Sequence, residues 1–495
     1  MKRTSCDNDF MNGRSVKTES KVFSVFLLRR SMKTYSFTLY LLNYVRVKSP
    51  ARYLVFLILL IFGLQLSAQE KWSLNDCISY AIKNNLNLHD AELSEQIAGQ
   101  NYRQSKFNLL PGVAAGADAG RNYGRSVDPN TNGIINTSFF NNSYYLGASV
   151  DVFRGFMLQN QIRYQKFRKE AAKNYRENAT DDLAFEVMDA FYNVVYQEEL
   201  LKIANEQKEI SELNLKKMEI LVSTGLKAQT DLLEVKANFE KDELFCIQTS
   251  NNIEVGWIRL KKAMNLPAEQ QINLSPEEEK SIDESALTAN IPELFKEYSK
   301  WSPYLQMYEN QWEASLKDVG IRRAGFFPSI QLQAAYNTGF YETNKDANAQ
   351  TISFNNQIKN NQSQFVGASL NIPIFSKNSV RTDVRQSQLM SEQAKTRLEQ
   401  TKQTLIYEME QNYNELNAAW KELQQSEKQL EADKLAFEAS QKKFNQGLIN
   451  VVEFYTVKNR MANTTSQVLH SKLTLEMKKR ILDFYRGTRF WESPS

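Results

Sequence analysis

Two histidines and three cysteines are the most versatile chemical groups in this 495-residue chain, and their spacing gives them little to do. His89 and His470 stand in no metal-ligand or triad pattern, so each reads as a solvated or capping residue. Cys77 and Cys246 are too few and too far apart for a disulfide framework and read as thiols packed between helices. Cys6 belongs to the amino-terminal leader. No nucleotide loop is present, and although motif alone does not exclude a hydrolytic carboxylate pair, no constellation assembles one. Neither an enzyme nor a cofactor nor a metal is expected.

The chain must instead be read from its elements. Lys2, Arg3, Arg29, Arg30, Arg46, Lys48 and Arg52 precede an apolar run from Tyr53 to Gly63 that continues to Leu66-Ser67-Ala68. This is the order of a secretory signal, cut after Ala68. The run is short for a spanning helix, which needs ~20 residues, so an uncleaved anchor is the lesser alternative. Initiation at Met32 would shorten the leader, and no cysteine follows the run to take a lipid. Residues 1–68 hold 11 of the 61 basic and 3 of the 57 acidic residues, leaving 50 against 54, a net −4. The apparent basicity belongs to the leader, and nucleic-acid binding loses its support.

Between Pro373 and Pro494 lie 120 residues with no proline and only two glycines, Gly447 and Gly487. Such a tract favours very long helices. Met409, Leu416, Leu423 and Leu430 recur every seven residues beside Ile406, Tyr413 and Trp420, the seam of packed helices. Gln446-Gly447-Leu448-Ile449-Asn450 breaks the pattern, predicting a helix up, a tight reversal and a helix back. About 65 helical residues at ~1.5 Å each reach on the order of 100 Å. Met157 to Asn265 is a second proline-free tract. Ser73 with Asp76 predicts a capping box ahead of Leu74, Cys77, Ile78 and Ala81, and a further helix runs from Asn87 to Phe107, before Leu110-Pro111.

Elsewhere the period falls to two. Tyr144, Leu146, Ala148, Val150 and Val152 alternate with small or polar residues, as do Ile330 to Phe340, Val366 to Ile374 and, more weakly, Val113 to Ala119. These predict four strands (~112–123, ~144–153, ~329–340, ~364–374), each pair joined by an Asn-rich loop. A soluble β-sandwich shows the same alternation, but two hairpins are too few for one, and strands of ten residues with long loops fit an outer membrane better. Four strands cannot close, and open edges are not tolerated in lipid, so several chains must pool their strands. Two chains give eight strands and a filled interior; three give twelve and a channel. Gly147, Ser149, Gly367 and Ser369 suit an open interior.

The second half repeats the first. Leu88 and Pro111 map to Leu305 and Pro328, Leu146-Gly-Ala-Ser to Val366-Gly-Ala-Ser, and Thr224-Gly225-Leu226 to Gln446-Gly447-Leu448. The expected division is a leader (1–68), a first repeat (69–268, hairpin ~157–265), a connector (269–302) that can add a small helix, and a second repeat (303–490, hairpin ~379–487).

In this doubled order, in Leu110-Pro111 and Phe327-Pro328, and in Thr224-Gly225-Leu226-Lys227-Ala228-Gln229-Thr230-Asp231, the chain from about Trp72 to Phe490 resembles the TolC-type outer membrane efflux family. The resemblance implies an α+β membrane protein: a homotrimer with a twelve-stranded β-barrel, four strands per chain, continuous with a periplasmic α-helical coiled-coil barrel. It implies the exit duct of a tripartite efflux or type I secretion system, opened by a periplasmic adaptor and an inner-membrane pump of RND or ABC type. It places adaptor docking at Gly225, Leu226, Lys227, Gly447, Leu448 and Ile449. Gate positions fall on Asp231, Glu234 and Glu453; Thr456 stands where a second acidic ring would be. Alternatively, each glycine serves only its turn and each carboxylate only a solvated face. A periplasmic adaptor carries one hairpin where this chain has two; a soluble coiled-coil scaffold would lack membrane strands.

Overall fold

The computed structural model describes residues 71–128, 131–276 and 288–492. The leader with its Ala68 junction, Asn130 and the acidic Glu277–Lys280 of the connector lie outside the described residues.

Strand β1 (Lys71–Trp72) leads into α1 (Leu74–Asn84), where Ser73 and Asp76 form the capping box: Asp76 N–H donates to Ser73 Oγ and Ser73 N–H to Asp76 Oδ2. Asn85 caps α2 (Leu86–Phe107). Then come β2 (Gly112–Asn122), the short pair β3 (Arg125–Val127) and β4 (Ile134–Asn136), and β5 (Phe139–Arg154). The first long hairpin is α3 (Met157–Ser223) and α4 (Gln229–Met264). The connector contributes β6 (Asn273–Leu274), parallel to β1, and α5 (Ile291–Trp301). The second half runs α6 (Pro303–Arg323), β7 (Ser329–Tyr341), α7 (Phe354–Asn360), β8 (Ser363–Asn371), α8 (Ser379–Asn445) and α9 (Val451–Tyr485).

Helices α3 and α8 are each 67 residues long, about 100 Å at ~1.5 Å per residue. Each is entered through two successive left-handed residues, Gly155–Phe156 and Lys377–Asn378. This shared elbow swings the chain from sheet to helix. The helices pack pairwise, α3 on α4 and α8 on α9, with α2 and α6 laid along α3. The main apolar core joins α1 to α6 with α8 and α9, with Phe191, Leu260, Met264, Leu305, Met409 and Leu416 at its centre. The heptad seam is thus buried at Met409 and Leu416 but only half-buried at Leu423 and Leu430.

The four long strands form one antiparallel sheet in the order β2-β5-β7-β8, with β2 and β8 as its edges. Register puts the predicted apolar rows on one side: Ala115 pairs with Leu146, Leu146 with Tyr336, and Val150 with Leu332, which pairs with Ala368. The alternation departs from expectation at Val152. A bulge there brings Phe153, not Val152, opposite Ile330, and the apolar row continues through Phe153. Strand β8 ends at Asn371, so Ile372 and Ile374 lie beyond it. The loops contain the β3–β4 hairpin and α7, whose buried Gln357 accepts from Tyr341 N–H and donates to Tyr341 and Ile352 carbonyls. Among the described residues no helix is long and apolar enough to cross a membrane.

Candidate functional site: the hairpin tips and the open sheet

At the far end of each hairpin a glycine reverses the chain. Gly225 and Gly447 both have φ of +75°. Gly225 N–H donates to Val222 O (3.0 Å) and Leu226 N–H to Leu221 O (2.8 Å); Gly447 N–H donates to Phe444 O (3.0 Å) and Leu448 N–H to Lys443 O (2.9 Å). These are matched Schellman closures, which need a residue at ease in the left-handed region. A Cβ at either position meets nothing within 4 Å. The requirement is therefore conformational, and the surface above each glycine is open to an approaching backbone.

The docking candidates divide. Leu226 and Leu448 project into solvent, 71% and 68% exposed. Lys227 is half-buried and borders a cavity of about 220 Å³ between the two turns, shared with Met218, Phe444 and Gln446. Lys217 ties the turns together by donating to Asn445 Oδ1 at 2.9 Å. Ile449 turns inward, against the tip cluster of Met218, Val235, Phe437, Val451, Phe454 and Tyr455. Of the gate candidates, Glu234 and Glu453 are exposed and Asp231 is half-buried. Asn450 Oδ1 accepts from Glu453 N–H (2.8 Å), which sets the start of α9. Among the described residues none of the three carboxylates has an ion-pair partner.

Sequence reading missed a polar layer just behind the tip cluster. Lys458 of α9 has no solvent exposure, and its Nζ donates to Ser211 Oγ of α3 (2.8 Å) and to Asp242 Oδ2 of α4 (2.5 Å). Ser211 Oγ also donates to Asp242. Burial pushes the Lys458 ammonium below its ordinary value, and Asp242 opposes that shift. In the second hairpin Asp433 accepts from Thr464 Oγ1 (2.8 Å) and Arg460 Nε (2.7 Å). Burial raises the Asp433 carboxyl, but these donors outweigh it and hold the group below its ordinary value. The lone sequence signal was a lysine inside an otherwise packed helical period.

The sheet poses the opposite problem: it has no cover. Val113, Leu146, Val366 and Leu370 are 49–86% exposed on the apolar side. Aromatic rings gather at both strand ends. Phe140, Phe340 and Phe354 form one group, with Phe340 and Phe354 centroids 5.8 Å apart; Phe153 and Phe156 (5.4 Å) mark the other. An apolar band exposed between aromatic rings is the pattern that lipid-facing strands carry. Cys77 and Cys246 are buried free thiols, and burial pushes the Cys77 thiol up to about 12. Among the described residues no group of three His, Cys, Asp or Glu side chains is placed to hold a metal ion.

Comparison with known proteins agrees with this anatomy. The family model for outer membrane efflux proteins matches residues 77–266 and 295–482, most of the chain. The chain is 22% identical over 370 residues to the protease secretion protein PrtF of Dickeya chrysanthemi, covering 72% of this chain and 76% of that protein. Its fold is similar to that of the outer-membrane channel OprN (TM-score 0.71, 19% identity, 84% of this chain and 90% of that one). It is equally similar to the CmeC outer membrane channel of Campylobacter jejuni (TM-score 0.71, 16% identity, 83% and 84%).

Proposed function

The chain belongs to the outer membrane efflux protein family and by that membership is an exit duct, and we propose that three copies build it. Each contributes β2, β5, β7 and β8 to a twelve-stranded barrel in the outer membrane of a Gram-negative cell, and α3, α4, α8 and α9 to a tunnel that runs on into the periplasm. Residues 69–268 and 303–490 act as two repeats joined by 269–302. The observation that carries this reading is the sheet itself: four registered strands, apolar on one side, with both edges unpaired. Lipid tolerates neither an open edge nor an uncovered backbone, so the edges must meet other copies. Twelve strands leave a water-filled interior where eight would fill with side chains.

The tips are the moving end. A periplasmic adaptor docks at Gly225, Leu226, Lys227, Gly447 and Leu448, with Ile449 held in the apolar cluster behind them. Asp231, Glu234 and Glu453 line the narrow part of the closed tunnel. Opening is a shift of packed helices, driven by contacts the adaptor makes only with the open form. An inner-membrane pump of RND or ABC type supplies the energy, and the duct performs no chemistry. Planar-bilayer recording tests this. Detergent-purified protein should sediment as a trimer and conduct weakly, and Asp231→Ala with Glu453→Ala should raise its conductance. A monomer in detergent, or a variant that never conducts, rejects the reading.

A further inference from the structure

Four helices meet the sheet: α2 and α6 run into it, and α3 and α8 leave it. The twelve residues of each that lie nearest the strands hold ten basic and three acidic side chains in all, a net +7, whereas residues 69–495 as a whole carry −4. Two of the acids are already engaged, Glu313 with Lys317 (3.4 Å) and Asp318 with Arg322 (3.5 Å). The other eight basic groups are exposed and have no ion pair among the described residues. Six of them stand within six residues of a helix end: Arg103 and Lys106 of α2, Arg163 of α3, Arg323 of α6, and Arg381 and Arg385 of α8. That is a band about 10 Å deep at ~1.5 Å per residue.

The duplication repeats this placement. Lys106 and Arg323 are 217 positions apart, as are Leu88 and Leu305, and Arg163 and Arg385 are 222 apart, as are Gly225 and Gly447. Both repeats therefore set one cation where a helix enters the sheet and another where a helix leaves it. Between these helices and the strands lie uncovered apolar residues: Phe156 is 58%, Phe375 83% and Ile374 95% exposed. Aromatic rings also carry two of the cations, Arg103 over Phe107 (5.6 Å to the centroid) and Lys106 over Tyr102 (4.2 Å). Apolar strands, then rings and branched side chains, then cations is the order met in one bilayer leaflet, from acyl chains to headgroups.

We propose that Arg103, Lys106, Arg163, Arg323, Arg381 and Arg385 form a collar that binds the anionic phospholipid headgroups of the periplasmic leaflet. Each guanidinium or ammonium donates to phosphate oxygens, and each adds to the attraction toward a negatively charged lipid surface. Lipid is the occupant because the collar continues the exposed apolar band of the sheet and because its charge is spread along the junction, not gathered into a pocket. Three copies would close it into a ring that fixes how deep the barrel sits. The inference rests on the barrel reading, but lipid preference is measurable without conduction.

The probe is phosphatidylglycerol labelled on its acyl chain with nitrobenzoxadiazole, added to the full-length protein in dodecyl maltoside and followed by fluorescence anisotropy. Phosphatidylcholine with the same label is the comparison. Wild type should prefer phosphatidylglycerol by about tenfold, the scale of a few cations at an anionic surface, and added salt should shrink the preference. Millimolar inorganic phosphate should displace no more label than chloride of equal ionic strength; greater displacement overturns lipid as the occupant. Lys106→Gln, Arg163→Gln, Arg323→Gln and Arg385→Gln together should bring the two lipids near parity. The charge-keeping set Lys106→Arg, Arg163→Lys, Arg323→Lys and Arg385→Lys should stay near wild type. Lys421→Gln, Lys428→Gln, Lys434→Gln and Lys442→Gln remove the same charge from exposed positions far along α8 and should change nothing. Equal binding of both lipids by wild type overturns the collar, as does a preference that survives the junction set or falls equally with the α8 set. Altered ion selectivity in planar bilayers with lipid preference unmoved would put the cations on the tunnel side and also overturns it. Sedimentation of the same samples judges assembly separately: a monomer sinks the barrel reading, whereas a trimer indifferent to phosphatidylglycerol sinks only the collar.

Discussion

The two hairpins carry the same polar layer with its parts exchanged. In the first, the hydroxyl sits on the outgoing helix (Ser211 of α3) and the carboxylate on the returning one (Asp242 of α4). In the second, the carboxylate is outgoing (Asp433 of α8) and the hydroxyl returning (Thr464 of α9). Each member stands 222 positions after its counterpart, the offset between Gly225 and Gly447. What differs is the third partner. Asp433 takes Arg460 from its own hairpin, 51% exposed, whereas Asp242 takes Lys458 from the other hairpin, fully buried. Lys236, the counterpart of Lys458, faces solvent. Duplication kept the height and geometry of the layer, but only one copy became a cross-link between the halves.

That difference should dominate the energetics. Lys458→Ala strands a largely buried Asp242 without its counter-charge, and such losses cost about 3–5 kcal/mol. Lys236→Ala, at the equivalent place, should leave thermal unfolding in detergent unmoved. Equal effects at the two lysines would mean that the cross-link contributes nothing beyond its counterpart. Replacing Lys458 and Asp242 together by Met and Leu should recover most of the loss, because a buried pair is roughly matched by apolar packing.

The second copy should fail more gently and with a pH signature. Asp433→Asn removes charge-assisted bonds from Thr464 and Arg460, about 1–3 kcal/mol at neutral pH. The folded carboxyl titrates below its ordinary 3.8. Its contribution is therefore present above that value and is lost as pH falls through the lower folded one. Wild type and Asp433→Asn should thus converge in unfolding temperature as the medium is acidified. Parallel curves across the acid range would show that Asp433 is not the titrating group.

This layer also marks where sequence reading stopped. Proline-free length and a seven-residue seam were enough to foresee α3 and α8, and alternation was enough for β2, β5, β7 and β8, because those signals repeat several times along each element. Lys458 carries no such signal: a lysine in a helix is by default solvated, and its partner lies 216 positions away. β1 and β6 pair over two residues each, too few for any period. The β3–β4 hairpin and α7 sit in Asn-rich loops whose composition announces only turns. The bulge at Val152 left the alternation formally intact and altered which residue follows it. At the tips the turns themselves were legible in Gly225 and Gly447, but the inward set of Ile449 depends on a cluster drawn from four helices.

The elbows test the comparison at the sheet end. Gly155, with φ of +60°, lies where a Cβ would come within 2.7 Å of Ala324 O and 2.9 Å of Phe327 Cβ. Gly155→Ala should therefore cost at least about 1–2 kcal/mol from its backbone alone. The second elbow begins with Lys377 at φ of +50°. Lys377→Gly relieves that strain, less the added freedom of the unfolded chain, and should stabilise by up to about 1 kcal/mol. Opposite signs in thermal unfolding are expected; the same sign at both elbows would break the equivalence of the two junctions.

The smallest effect separates the tips. Asn450 caps α9 with its side chain on Glu453 N–H, whereas Ala228, in the matching extended conformation at ψ of 152°, gives α4 no side-chain cap. Asn450→Ala should cost about 1 kcal/mol and Ala228→Asn should gain a similar amount. If the tips are the moving end of the duct, the two substitutions should also act oppositely on bilayer conductance. An uncapped first turn frays more readily, so Asn450→Ala should raise the frequency of openings and Ala228→Asn should lower it. Stability changes without any change in openings would separate helix capping from gating and place the moving part elsewhere along the hairpins.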